Sequence, residues 1–236
     1  MTTSLLASDQ DLLAIGFRLD YGAPASYDPE SADIEQTLLN VLAAFPEDYR
    51  IAAIAMAWIK VHGKYIIAER ISKLCNSEGD RACPFHPWLS FIAAWAVECG
   101  YYKWRMLIKK EKSPVYLYDP EVSESVILRK GAMPWCIPFG FRIPLDSLRI
   151  RESDVLTPQE LMRYNLQYRN RYIYGPSWRA DIITAIQRGI TSPMAISRAV
   201  GCSYEPAHRI SREYLMAMNA IREDKEMKKR ARKKKP

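Results

Sequence analysis

The chain has few histidines and no long apolar run, and each absence argues against a class of protein. Its longest uncharged apolar run, residues 51–59, has nine residues, less than half of the roughly 20 that a membrane-spanning helix needs. The first segment has no basic region and carries Asp9 and Asp11, so we expect no secretory signal. Hydrophobic residues make up 48% and charged residues 26% of the 236 positions, which is enough apolar surface for a folded core. The sequence therefore predicts a soluble, globular, cytoplasmic protein.

Common catalytic motifs are also missing. The sequence has no Gly-rich phosphate loop, no G-x-S-x-G elbow and no H-E-x-x-H pair. Its three histidines are His62, His86 and His208, and none has an evident catalytic partner nearby in sequence. A nuclease pattern fails at Lys130, because Leu128 occupies the position where an acidic residue is required. We therefore predict no catalytic residues and no cofactor, and keep a nucleic-acid-processing enzyme as an alternative.

The five cysteines do not form a disulfide pattern. They are odd in number and scattered along the chain as Cys75, Cys83, Cys99, Cys136 and Cys202, which fits a reducing compartment. A zinc site remains open for Cys75, Cys83 and His86, whose spacing matches no compact zinc motif. Its fourth ligand would have to come from Cys99 or His62. Buried single cysteines are the simpler interpretation, and no metal is predicted.

Positive charge is concentrated at the C-terminal end. Residues 225–236 hold eight Lys or Arg and one Glu, a net charge of +7, which equals the formal charge of the whole chain. The other 224 residues therefore sum to zero. A block of like charge repels itself, stays solvated and favours phosphate partners. We predict a disordered basic tail over 223–236 that contacts nucleic acid. The alternative is that this segment only keeps the protein in solution and binds no partner.

Helical periodicity dominates the first half of the chain after an unpatterned start. Residues 1–30 are predicted to be a flexible arm, and 31–174 an α-rich regulatory or dimerisation domain. Helices are expected over 31–45, 48–62, 65–74 and 87–110. The alanine-rich run 51–61 and the stripe of Trp88, Phe91 and Trp95 offer apolar surface. We therefore predict that residues 31–110 form a homodimer.

Residues 114–150 change in character before helical patterning returns. The β-like runs 115–118, 125–129, 139–143 and 148–151 are separated by Pro and Gly, so two to four short strands are expected. Thr157, Pro158 and Glu160 then form a capping box that begins another helix, running to about residue 172. The Gly175-Pro176 pair marks the clearest domain boundary. The predicted fold class is thus mainly α with a few short strands.

Residues 177–222 carry a pattern of three short helices. Ser177 is the expected N-cap of the first, which Gly189 ends, and Ser192 is the expected N-cap of the second. Gly201 follows this helix directly, where a tight turn needs a residue that accepts positive φ. Ser203 begins the third helix.

Small or apolar residues recur at fixed positions through 193–212, namely Ile196, Ser197, Val200, Gly201, Cys202, Ala207 and Ile210. This spacing resembles the helix-turn-helix of bacterial transcription regulators. The resemblance implies a trihelical DNA-binding domain over 177–222 whose third helix enters the major groove. The layout of the whole chain is similar, by analogy of fold alone, to antitoxin-type autorepressors. A small protein-interaction bundle is the alternative interpretation.

If those apolar positions face the core, polar residues remain outside on or near one face. The predicted DNA contacts are Ser203, Tyr204, Glu205, His208, Arg209, Ser211 and Arg212, with Arg198 on the preceding helix and Lys228, Lys229, Arg230, Arg232, Lys233, Lys234 and Lys235 in the tail. All six basic residues of 177–222 are arginine, whose planar fork matches guanine and phosphate. We expect Arg209 to read a base and Arg212 to contact phosphate.

The sequence therefore predicts a sequence-specific protein for double-stranded DNA, a transcriptional regulator that acts as a homodimer. Its N-terminal domain would bind a protein partner, as the body of an antitoxin-type autorepressor does. A phage or plasmid DNA-packaging or replication factor is the alternative, because it would use the same bundle to hold DNA.

Overall fold

The structure, a computed structural model, describes residues 9–18, 32–46, 48–76 and 86–233. Within these ranges the chain forms eleven α-helices and no strand longer than an isolated bridge. The mainly helical class predicted from the sequence is therefore confirmed. The chain divides into two compact units, 1–172 and 173–236, and this division lies close to the Gly175-Pro176 pair.

The first unit is built on eight helices, the last of which runs two residues past the division. They are α1 (Asp9–Ala14), α2 (Ile34–Leu42), α3 (Tyr49–His62), α4 (Ala68–Asn76), α5 (His86–Glu98), α6 (Pro120–Lys130), α7 (Pro158–Tyr164) and α8 (Leu166–Tyr174). Short 3-10 turns lie at Gly63–Tyr65, Tyr102–Leu107, Ile137–Phe139 and Glu152–Asp154. The second unit holds α9 (Trp178–Gln187), α10 (Pro193–Val200) and α11 (Tyr204–Lys233).

Side-chain caps explain where several helices begin. The carboxylates of Asp33, Asp48 and Asp119 each accept a hydrogen bond from a backbone N–H in the first turn of α2, α3 and α6. Thr157 and Glu160 form the predicted capping box at the start of α7. Each such cap contributes about 1 kcal/mol to helix stability. The N-cap of α2 is thus Asp33, two residues after the expected start.

The core of the first unit takes up the apolar surface that was predicted for self-association. The alanine-rich side of α3 is fully buried around Met56 and Trp58, and Phe91 of α5 packs in the same cluster. Trp88 is buried as well, and Trp95 is half-buried with its indole Nε1 donating to the Met56 carbonyl at 2.8 Å. These side chains stabilise the unit itself, so they are not evidence for a dimer surface.

The flexible arm predicted over 1–30 is wrong for residues 12–17. Leu12, Ile15 and Phe17 are buried in the core, and the Trp58 indole Nε1 donates to the Ile15 carbonyl at 2.6 Å. Phe17 also forms an antiparallel bridge with Val155. The sequence pattern missed this segment because α1 has only six residues, fewer than two turns of periodicity. Residues 1–8 and 19–31 lie outside the described part of the chain.

The short strands predicted in 114–150 are also wrong. Residues 125–129 belong to α6, because the Asp119 cap and Pro120 at the first helical position begin a helix there. The other β-like runs contribute only isolated bridges, such as Val115 with Phe141. The β-branched side chains of α6 lower its helix propensity only slightly, so the cap decides the local structure.

Besides α2, three predicted helices have different bounds in the structure. The helix expected over 87–110 ends at Glu98, and Gly100 adopts φ +92° before the chain continues as the 3-10 turn Tyr102–Leu107. The helix expected from Thr157 is divided at Asn165, which has extended backbone dihedrals and accepts a hydrogen bond from the Tyr168 N–H. The helix expected over 65–74 is α4, three residues later at its start.

A buried ion-pair network joins α2, α4 and α8. The fully buried Glu35 carboxylate accepts from Arg171 Nη2 at 2.9 Å and from Arg70 Nη1 at 2.7 Å. The Ile67 backbone N–H donates to the same carboxylate at 3.1 Å. Asp33 completes the network by pairing with Arg70. Burial alone would raise the pKa of Asp33, but the Arg70 guanidinium holds it below its ordinary value.

His62 is buried at the end of α3 in a defined tautomer. Its Nε2 lies 2.9 Å from the Leu156 carbonyl, and its Nδ1 lies 2.7 Å from the Tyr168 hydroxyl. A carbonyl only accepts, so Nε2 carries the proton and Nδ1 accepts from Tyr168. Because both nitrogens are occupied, His62 is not available as the fourth zinc ligand. Burial lowers the pKa of His62 to about 4, since the imidazolium would lose its hydration.

We expect the stability of the protein to decrease as the pH falls from about 6.5 to about 4 because of His62. In this window the unfolded chain takes up a proton that the folded chain does not, and below it both states are protonated. The shift corresponds to about 3 kcal/mol of unfolding free energy. Urea unfolding from pH 4 to 7 tests this against H62Q, which cannot titrate but retains a donor for Leu156. Identical pH slopes for the two proteins would contradict the prediction.

Candidate nucleic-acid interface

The three helices of the second unit pack around a small apolar core. Its buried members are Ile182, Ala185, Ile196, Val200, Ala207 and Ile210, with Cys202 partly buried against them. The inward placement predicted for Ile196, Val200, Ala207 and Ile210 is therefore confirmed. Polar contacts between α9 and α11 include an ion pair of Arg179 with Glu213 at 2.8 Å and a hydrogen bond from Gln187 to the Tyr214 hydroxyl at 3.1 Å.

A short turn, residues 201–203, joins α10 to α11. Gly201 adopts the left-handed conformation at φ +77°, and its N–H donates to the Ser197 carbonyl at 2.9 Å. The Ser197 hydroxyl in turn donates to the Cys202 carbonyl at 2.7 Å. A Cβ on Gly201 would meet no atom within 4 Å. Glycine is therefore favoured here by its backbone conformation and not by lack of space.

Six of the seven DNA contacts predicted within residues 203–212 are exposed. The exposed side chains are Ser203, Tyr204, Glu205, His208, Arg209 and Arg212, together with Arg198 of α10. The rings of Tyr204 and His208 are stacked, with centroids 5.7 Å apart and planes 19° from parallel. The first turns of α11 thus present a flat aromatic pair beside positively charged side chains.

Ser211 was predicted to face outward, and this is wrong. Its side chain is only 2% exposed, because position 211 follows Ile210 on the core-facing side of the helix. The Ser211 hydroxyl donates to the Ala207 carbonyl one turn earlier and also lies 3.2 Å from the His208 carbonyl. It is therefore satisfied inside the unit and cannot contact DNA.

The two arginines of the predicted site have different surroundings. Arg209 lies 3.4 Å from Glu205 and 3.8 Å from Glu213, in ion pairs whose members are all largely exposed. Exposed pairs one turn apart contribute only about 0.3–0.5 kcal/mol, so DNA can displace them. Arg212 and Arg198 form no ion pair with any residue that the structure describes. Their charge is available to a ligand without such a displacement.

The disordered tail predicted over 223–236 is wrong up to Lys233, because α11 continues to that residue. Ala, Met, Glu, Lys and Arg dominate this stretch and are strong helix formers. Glu226 also precedes Arg230 by four residues, a favourable spacing on a helix. The helix carries the predicted contacts Lys228, Lys229, Arg230, Arg232 and Lys233, whereas Lys234 and Lys235 lie outside the described residues. Its 30 residues span about 45 Å.

Exposed apolar residues in the middle of α11 were not predicted. Leu215 is 40% exposed, and Met216, Met218 and Ile221 are exposed as well. The sequence signal was present, because apolar residues surround this part of the helix on more than one face. The packed part of α11 ends near Tyr214.

Neither a metal-binding cluster nor a single membrane-spanning helix is found among the described residues. In this part of the chain no three His, Cys, Asp or Glu side chains are grouped so that they could hold a metal ion. Cys83, one member of the zinc set considered above, lies outside it. No single described helix is long and apolar enough to cross a membrane. The pair Tyr49–Tyr65 and Ala68–Asn76 reaches that length and apolar composition only when the two are taken together, and they are bent by 111° relative to each other.

Comparison with protein-family models, with curated proteins and with solved structures gave no match. The function is therefore inferred from the residues and geometry of this chain.

Proposed function

We propose that the second unit binds double-stranded DNA in a sequence-specific manner and that the protein is a transcriptional regulator. The observation that carries the proposal is the division of α11 into two sides. Ala207 and Ile210 are buried against α9 and α10, while the Tyr204–His208 pair and the unpaired Arg212 face solvent. A helix that begins after a glycine turn, with basic and aromatic side chains facing outward from its first turns, has the form needed for the major groove.

The chemistry of these side chains fits the edges of base pairs and the phosphates beside them. Arginine donates two parallel hydrogen bonds to guanine O6 and N7, and histidine and tyrosine can donate to phosphate oxygens. The N-terminus of α11, at Tyr204, also favours a phosphate through the helix dipole, although Pro206 in the first turn has no backbone N–H to donate. Of Arg198, Arg209 and Arg212, only Arg209 has to break ion pairs, with Glu205 and Glu213, before it can contact DNA, and these exposed ion pairs are weak.

Replacing Arg209 and Arg212 separately tests the proposal. We expect Arg209→Ala to relax base preference at one position of the binding site, since a bidentate arginine–guanine contact is worth about 1–3 kcal/mol of discrimination. Arg212→Ala should weaken binding to all duplexes alike and reduce the salt slope by about 1. Selection from a randomised duplex pool, followed by affinity measurements at several salt concentrations, distinguishes the two effects.

Arg149→Ala is the matched control, because Arg149 is an exposed arginine of the first unit. It should leave both the selected motif and the affinity unchanged. If Arg209→Ala yields the wild-type motif with equal information at every position, Arg209 does not read a base. If the wild-type protein selects no motif and binds no duplex, the proposal fails and a protein-interaction bundle becomes the better interpretation.

We further propose that the protein acts as a homodimer and that its first unit binds a protein partner, as in an antitoxin-type autorepressor. One helix-turn-helix reads only a few base pairs, so specificity usually comes from two half-sites about one helical turn apart. The apolar residues of 31–110 no longer support a particular dimer surface, since they are buried. Sedimentation with duplexes that carry one or two half-sites tests the stoichiometry. A DNA-packaging or replication factor remains the second candidate, because it would bind DNA through the same surface.

A further inference from the structure

A basic strip lies in the first unit, outside the proposed DNA interface. Residues 101–112 contain Lys103, Arg105, Lys109, Lys110 and Lys112 against the single acid Glu111, a net charge of +4. All five cations are exposed, and none forms an ion pair with another residue in the described ranges. The first 224 residues are neutral overall, so this local excess is not part of a generally basic surface. Unpaired positive charge at one place favours an anionic partner.

A cleft of about 390 Å³ opens beside two of these cations. Arg105 and Lys110 line it together with the apolar residues Val97, Ile108, Pro138 and Phe139. This volume lies within the range of about 300–1,000 Å³ that is usual for small-molecule sites. The cleft therefore combines a mainly apolar lining with two cationic side chains.

Backbone contacts hold the wall of the cleft in place. The Glu111 N–H donates to the Phe139 carbonyl at 3.0 Å, and Gly140 follows with φ +95°. A Cβ on Gly140 would lie 2.9 Å from the Cβ and 3.1 Å from the carbonyl oxygen of Glu111. Only glycine permits this approach of the two segments. The strip and the 3-10 turn Ile137–Phe139 are thus packed together before any ligand binds, as a preorganised site requires.

We propose that this cleft binds a small anionic amphiphile, namely a carboxylate that carries a short apolar chain or ring. The side chains of Val97, Ile108 and Phe139 cover the apolar part, whose removal from water drives binding. Arg105 and Lys110 bind the carboxylate, and the arginine fork can do so with two parallel hydrogen bonds. A bare anion leaves the apolar lining wet, and a neutral apolar molecule leaves the cations without a partner. The proposal does not depend on DNA binding by the second unit.

Three small probes separate the two contributions in the full-length protein. Octanoate has both a chain and a charge, octan-1-ol has a similar chain without the charge, and acetate has the charge without the chain. Titration followed by NMR should show octanoate binding about tenfold more tightly than either of the others. Arg105→Ala and Lys110→Ala should each weaken octanoate binding about tenfold, as expected for a charge-assisted hydrogen bond, and leave octan-1-ol binding unchanged.

Lys103→Ala is the matched control, because Lys103 is an exposed cation of the same strip that does not line the cleft. It should reduce octanoate affinity by less than twofold. All three positions are exposed, so these variants keep the fold. Equal binding of octanoate and octan-1-ol, equal binding of octanoate and acetate, or an equal loss in Lys103→Ala and Arg105→Ala would each overturn the proposal.

Discussion

Replacing Glu35 with alanine should lower the unfolding free energy of the protein by about 3–5 kcal/mol, the cost typical of removing one partner from a buried ion pair. Arg70 keeps Asp33 as its partner after the substitution. Arg171 is fully buried and loses both of its hydrogen bonds to the Glu35 carboxylate. Removing this buried counter-charge from a buried guanidinium is the main source of the loss. Urea unfolding at pH 7 measures it.

Glu152→Ala is the control for this prediction. It removes an ion pair of similar geometry, Lys60 with Glu152 at 2.7 Å, in which both side chains are more than half exposed. Exposed pairs contribute about 0–1 kcal/mol, so the control should lose little. Glu35→Gln provides an intermediate case that retains hydrogen-bond acceptors if Glu35→Ala does not fold. A loss in Glu35→Ala no larger than in Glu152→Ala would show that the network does not stabilise the fold.

Deleting residues 225–236 should weaken binding to every duplex by a factor on the order of 10² to 10³ at low salt. The segment carries eight Lys or Arg, and α11 continues through it to Lys233. A helix turns only about half of its side chains toward one surface, so we expect about four phosphate contacts. Four phosphate contacts correspond to a change of about 3.6 in the slope of log affinity against log salt. Binding isotherms measured at salt concentrations from about 50 to about 200 mM give this slope.

The control for the deletion keeps the helix and removes only charge. Replacing Lys228, Lys229 and Arg230 with alanine preserves helix propensity and should remove part of the same slope. The motif that the protein selects should stay the same in both variants, because the first turns of α11 are unchanged. A slope equal to that of the wild type would show that this end of α11 does not contact DNA.

Local signals were sufficient for the packing of the helix-turn-helix region. The spacing of Ile196, Val200, Ala207 and Ile210 on two helices joined by a glycine turn predicted that these four residues are buried. Ser211 was missed because consecutive residues on a helix differ by about 100°, and a position at the border of two faces can belong to either. In α6 the β-branched residues suggested a strand, and the Asp119 cap with Pro120 decided otherwise.

Signals between distant residues were not visible in the sequence. Glu35 and Arg171 are 136 positions apart, and no periodicity connects them. The same holds for the cleft between Arg105 and Phe139, because the two segments meet through a backbone bond and a glycine. The predicted arm shows a third case, since Leu12, Ile15 and Phe17 are recognised as core residues only when α3 is packed against them.

The distance between Glu35 and Arg171 along the chain also sets when the first unit can complete its fold during synthesis. Ribosomes add about 5–20 residues per second, so the 136 positions between these residues take roughly 7–27 s to emerge. Until Arg171 has been synthesised, a buried Glu35 carboxylate would lack one of its two arginine partners. Helix α2 therefore reaches its final packing only after almost the whole first unit has been made, and a nascent chain released before residue 171 has no complete native state to reach.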